Sequence, residues 1–215
     1  MHGIVAIVDD NEAIRHSTTL ILQSFGFDVE TFASGDNFLA VEINDAISCI
    51  LLDLYMPGTG GLAVLAALQA RGGSPPVIVL TGHGDLAAAV EAMKLGACDF
   101  IEKPYEAEDL LTAIRTASEK GRERRDANAS RSRAIALVDR LTAQQRQVLL
   151  GILRGLPNKL IAFELGLSIR TIETYRAQLL DKLGVNGTAE AVRLALDAGV
   201  EDEPFGRSRR VSTVG

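Results

Sequence analysis

From residue 4 to about residue 118 the chain repeats one unit five times: a short apolar run, then a stretch with apolar residues at helical spacing. The runs are 4–8, 29–32, 48–52, 76–80 and 100–101, and the helical stretches are 11–25, 36–43, 62–68, 85–95 and 106–118. Gly26, Gly72-Gly73 and Gly96 stop three of the helices, and Ser34 suits the start of another. Parallel strands cannot be joined by a tight turn, so each needs a crossover, usually a helix. The repeat therefore predicts an α/β fold: a five-stranded parallel sheet, doubly wound, with helices on both faces.

In open sheets of this kind, sites form at the carboxyl ends of the strands. That is where the polar residues fall. Asp9 and Asp10 follow the first run, Asp53 the third, Thr81 the fourth and Lys103 the fifth. Three carboxylates gathered at one rim repel one another unless a cation sits among them. Carboxylate oxygens with a few waters suit Mg²⁺, a hard ion that prefers octahedral oxygen ligands. Lys103 adds positive charge and Thr81 a hydroxyl donor. Together these groups suit a phosphoryl group carried on a carboxylate, with Mg²⁺, Lys103 and Thr81 each taking one of its oxygens.

The strings Val8-Asp9-Asp10, Leu52-Asp53-Leu54-Tyr55-Met56-Pro57-Gly58, Thr81-Gly82-His83-Gly84-Asp85 and Phe100-Ile101-Glu102-Lys103-Pro104 resemble the receiver domain of two-component response regulators. The resemblance covers residues 3–120. It implies that Asp53 is the phosphoacceptor, charged by a cognate histidine kinase. It implies that Asp10 binds Mg²⁺ directly, that Asp9 helps through water, and that the backbone carbonyl of Tyr55 is a further ligand. Thr81 and Phe100 would form the switch pair, the hydroxyl moving to the phosphate and the ring swinging inward behind it; plain core packing is the other reading of Phe100. Tyr55 and His83, each two residues past a pocket residue, are expected to crowd the mouth and slow attack of water. Such a domain catalyses its own phosphotransfer and hydrolysis without being an enzyme for an external substrate.

Residues 121–136 turn polar and read as a linker, irregular or a helical extension that Gly121 would weaken. Beyond it no good strand remains. Four helices fit, over about 142–154, 157–165, 168–183 and 188–198, with Pro157 opening the second, Gly166 closing it, Ser168 capping the third and Gly184 ending it. Helix, glycine turn and second helix is the helix-turn-helix arrangement. Residues 137–199, with Pro157-Asn158-Lys159 and Arg170-Thr171-Ile172-Glu173, resemble the four-helix DNA-binding domain of LuxR/FixJ-type regulators. The third helix would enter the major groove of double-stranded DNA. Ile172, Leu179, Leu180 and Leu183 would face the core, and Arg170, Glu173, Thr174, Arg176 and Ala177 would face outward. Glu173, Thr174 and Ala177 suit base edges, and Lys159, Arg170, Thr171 and Arg176 suit phosphates. The family uses the last helix for dimer contacts, so a homodimer on activation is expected. Residues 200–215 read as a disordered tail.

Charge follows the same division. Residues 1–126 hold 9 Lys/Arg and 19 Asp/Glu, a net of −10, and residues 127–215 hold 13 Lys/Arg and 9 Asp/Glu, a net of +4. An acidic half suits a cation, and a basic half suits a polyanion. No apolar run approaches the ~20 residues of a membrane-spanning helix, and no secretory signal is legible, so a cytoplasmic protein without a membrane partner is expected. Cys49 and Cys98 both lie in apolar runs and read as buried core residues of a reducing compartment. A phosphatase with an aspartate nucleophile would need a second carboxylate two residues on, where Asp53-Leu54-Tyr55 has none. The alternative to the DNA-binding regulator is a phosphate sink or partner-binding protein without sequence-specific DNA output.

Overall fold

The structure is a computed structural model that describes residues 3–44, 46–72, 74–82, 86–200, 203 and 205. The chain forms two compact units, Met1–Arg125 and Asp126–Gly215.

The first unit is the five-stranded sheet, with β1 (Ile4–Val8), β2 (Asp28–Phe32), β3 (Ile47–Asp53), β4 (Val77–Thr81) and β5 (Asp99–Glu102) in the order β2-β1-β3-β4-β5. Every pairing is parallel. The helices between them are α1 (Glu12–Ser24), α2 (Gly35–Ala40), α3 (Gly61–Arg71) and α4 (Leu86–Lys94), and α5 (Ala107–Val138) follows β5. Strands β1, β3 and β4 are covered on both faces, which is why they read as continuous apolar runs. Alternate residues supply two cores. Ala6, Val8, Ile50, Leu52 and Val79 pack on one side with Phe38, Leu65 and Leu68, and Val5, Ile7, Leu51, Ile78 and Leu80 pack on the other with Leu22, Leu110 and Ile114. The sequence order reverses between β1 and β3, opening a crevice at their carboxyl ends.

The second unit contains α6 (Ala143–Leu153), α7 (Asn158–Leu165), α8 (Ile169–Leu183) and α9 (Thr188–Asp197). Thr142 and Gln145 form a reciprocal capping box at the start of α6. The Gln145 side chain also donates to Gln178 at 3.1 Å and accepts from Lys182 at 2.8 Å, tying α6 to α8. Gly166 and Gly184 end α7 and α8 in the left-handed region. Val148, Leu149, Ile161, Ile172, Leu179, Leu183, Ala191 and Ala195 fill the core.

Residues 121–136 take the helical of their two readings throughout, as part of α5, while other expectations change. Gly121 does not weaken this helix by chance: a Cβ there would sit 2.8 and 2.9 Å from Pro76 Cδ and Cγ, so the close approach requires glycine. Within the tail assigned to 200–215, three described residues are packed. Val200 is buried, Phe205 joins the second core, and Arg146 Nε donates to Glu203 at 2.8 Å. Cys49 is buried, but Cys98 is exposed, its thiol donating to the Val77 carbonyl at 3.0 Å. Among the described residues, no helix is long and apolar enough to cross a membrane.

Candidate functional site

The crevice at the carboxyl ends of β1 and β3 holds Asp9, Asp10 and Asp53, with one oxygen of each within 4.8 Å of the others. Strand β1 delivers Asp9, which is fully buried, and Asp53 is the last residue of β3. Asp10 is exposed on the loop into α1. Lys103, just past β5, reaches across the pocket. Its Nζ lies 2.7 Å from Asp9 Oδ2 and 3.1 Å from Asp53 Oδ1. The other Asp9 oxygen accepts the Asn11 N–H at 2.8 Å, so both oxygens of this buried carboxylate are engaged.

Burial pushes the Asp53 carboxyl up from its ordinary value, and neither the Lys103 ammonium nor the Tyr55 backbone N–H reverses this. Burial alone would depress Lys103. Its hydrogen bond to Asp9 and the nearby Asp53 charge outweigh that and hold it above its usual value. Three carboxylates face one ammonium, leaving an excess of negative charge that a hard divalent cation could neutralise with oxygen ligands. Asp9, Asp10 and Asp53 therefore fit a metal ion, and Asp10 lies on the solvent side, where waters can complete its shell.

Thr81 ends β4 and is buried, its hydroxyl making, among the described residues, a long 3.4 Å contact to the Gly82 carbonyl. Phe100 is 40% exposed on the edge strand β5, so it is not a core residue here. Tyr55, two residues past Asp53, is 62% exposed, and His83 lies outside the described residues. Glycine is required beside Asp53. A Cβ on Gly61, the first residue of α3, would lie 2.2 Å from the Asp53 carbonyl oxygen and 2.8 Å from Leu54 Cα.

Two contacts were not anticipated. Arg15 Nη1 donates to the carbonyls of both Asp9 and Asp10, at 2.8 and 2.9 Å. The Thr18 hydroxyl bonds the Tyr105 hydroxyl at 2.7 Å, linking α1 to the loop before α5. A basic residue one turn into the helix behind an acidic pair was the available signal for the first.

In the second unit, Ile172, Leu179 and Leu183 are buried and Leu180 is half-buried, while Arg170, Glu173, Thr174 and Ala177 are exposed along α8, with Lys159 exposed on α7. Thr171 is half-buried and its hydroxyl meets Ser168 Oγ at 2.8 Å, in the cap of α8. Arg176 departs from the outward reading. It is half-buried and donates to Asn158 Oδ1 at 3.2 Å and Thr188 Oγ1 at 3.0 Å, because α7 and α9 both present side-chain oxygens to it.

Residues 5–115 match the family described as response regulator receiver domain, and residues 139–195 match bacterial regulatory proteins, luxR family. The chain is a response regulator with a LuxR-family second domain. This response regulator is 42% identical over 196 residues to the transcriptional regulatory protein FixJ of Azorhizobium caulinodans, covering 91% of this chain and 93% of that one. It is 34% identical over 203 residues to the transcriptional regulatory protein TdiR of Thauera aromatica, covering 94% and 89%. Among solved structures it resembles the response regulator StyR, with a TM-score of 0.81, 36% identity and coverage of 91% and 99%. It also resembles full-length FixJ from B. japonicum, with a TM-score of 0.55, 39% identity and coverage of 92% and 97%.

Proposed function

We propose that this response regulator accepts a phosphoryl group on Asp53 from a cognate histidine kinase in the cytoplasm and then binds double-stranded DNA as a homodimer to regulate transcription. The observation that supports it is the convergence of Asp9, Asp10, Asp53 and Lys103 at one crevice, in a chain whose other unit exposes Arg170, Glu173, Thr174 and Ala177 along one helix. Relatives that match across both units are named as transcriptional regulatory proteins, which does not favour a phosphate sink.

An Asp53 oxygen forms the new P–O bond as the P–N bond of the kinase phosphohistidine breaks, and the imidazole nitrogen leaves with the electron pair and takes a proton. Burial makes Asp53 more basic, hence a better nucleophile, while Lys103 keeps a counter-charge beside it. A bound Mg²⁺, held by Asp9, Asp10, Asp53 and the Tyr55 carbonyl, supplies further neutralisation of the phosphoryl oxygens. Lys103 pairs with one phosphoryl oxygen and the Thr81 hydroxyl donates to another. Movement of Thr81 leaves room behind it for the Phe100 ring, so one charged group biases two packed states. Tyr55 and His83 screen the phosphoaspartate from water. The chain thus catalyses its own phosphotransfer and hydrolysis and turns over no external substrate.

On DNA, Glu173, Thr174 and Ala177 read base edges, and Lys159, Arg170 and Thr171 hold phosphates. Arg176 keeps its charge near the backbone while bracing α7 and α9. The test is mass spectrometry after incubation with acetyl phosphate and Mg²⁺. One phosphoryl group on the Asp53 peptide, absent in Asp53→Asn, is expected; phosphorylation of Asp53→Asn to the wild-type level would overturn the assignment.

A further inference from the structure

The three carboxylates of the pocket are not held alike. Asp9 has Lys103 and the Asn11 N–H, and Asp53 has Lys103 and the Tyr55 N–H. Among the described residues, nothing holds the Asp10 carboxylate by hydrogen bond or ion pair. Its direction depends on the backbone of the β1–α1 loop. That backbone is fixed from three sides. The Asp9 N–H donates to the Phe32 carbonyl at 3.1 Å, Asn11 caps α1 through the N–H groups of Ala13 and Ile14, and Arg15 Nη1 binds both carbonyls between them.

We propose that Arg15 is a positioning residue for the divalent cation: by clamping the Asp9 and Asp10 carbonyls it aims the Asp10 carboxylate into the pocket. The inference rests on the reading of Asp9, Asp10 and Asp53 as a cation site. It makes a prediction opposite in sign to simple electrostatics. A guanidinium this near the pocket repels a cation, so removing its charge alone would tighten binding. Removing the clamp frees two carbonyls and the loop that carries Asp10, and outer-shell partners of metal ligands are typically worth about 10–100-fold in affinity. The clamp is therefore the larger effect.

The test titrates the full chain with Mn²⁺, reading free ion by electron paramagnetic resonance, for the wild type, Arg15→Met, Arg15→Gln, Asp10→Asn and Asp10→Asn/Arg15→Met. Thermal midpoints in EDTA identify the variants that fold. Arg15→Met and Arg15→Gln are expected to bind Mn²⁺ about tenfold or more weakly. Arg15→Met should add little loss to Asp10→Asn, because it acts through Asp10. Wild-type or tighter binding in either folded neutral variant overturns the role of Arg15, as does a full additional loss in the double variant. Failure of the wild type itself to bind Mn²⁺ would instead overturn the cation site on which the inference stands.

Discussion

At Asp53 two demands meet. The nucleophile must be sheltered from water, which raises its carboxyl, yet it must carry charge, which Lys103 supports from 3.1 Å. The backbone that presents it is packed against the first turn of α3, where Gly61 leaves no room for a side chain. Gly61→Ala should therefore destabilise the first unit by about 1–3 kcal/mol, as overpacking does. Urea unfolding checks this, and an unchanged midpoint would contradict it. Asp9, Asp10, Asp53, Thr81 and Lys103 were legible in the sequence because each terminates an apolar strand, and the parallel sheet brings those ends together. Arg15 was not, because a basic residue one turn behind an acidic pair is a common pattern that does not tell whether its side chain turns back to bond the carbonyls five and six residues before it. Cys98 looked buried because its neighbours are apolar, but it precedes an edge strand with one side open.

Among the elements, the boundaries of α6 to α9 were readable from caps and glycines, as Thr142, Gly166, Ser168 and Gly184 show. The length of α5 was not, since a buried glycine that fits against Pro76 looks in sequence like a weak point. The anchoring of residue 203 was hidden too. Glu203 pairs with Arg146, and this hydrogen bond holds its carboxyl below the ordinary value of 4.5. A depressed folded value contributes stability above pH 4.5 that is lost as pH falls through the lower folded value. Glu203→Gln should lower the thermal midpoint at pH 7 and lose that penalty in acid; an equal penalty at both extremes would contradict the ion pair. Two arginines of α8 should separate by the same logic of contacts. Arg170→Ala should weaken DNA binding across sequences and flatten its salt dependence while leaving stability almost unchanged. Arg176→Ala should also lower the thermal midpoint, since it removes the bonds to Asn158 and Thr188. Equal midpoints for the two variants would argue against the bracing role.

Across the whole molecule, an acidic unit that can hold a cation and a phosphoryl group is joined in one chain to a basic helical unit, and the charge division in the sequence already separated them. In the proposed function the state of Asp53 governs DNA binding. Selection of bound sequences from a random duplex library tests it most directly, with and without beryllofluoride and Mg²⁺ as a mimic of phosphorylated Asp53, and with Asp53→Asn as the control. A paired motif, as a homodimer requires, is expected to enrich with beryllofluoride and not with Asp53→Asn. Equal enrichment in all conditions would contradict the switch, and no enrichment in any would contradict the DNA-binding output itself.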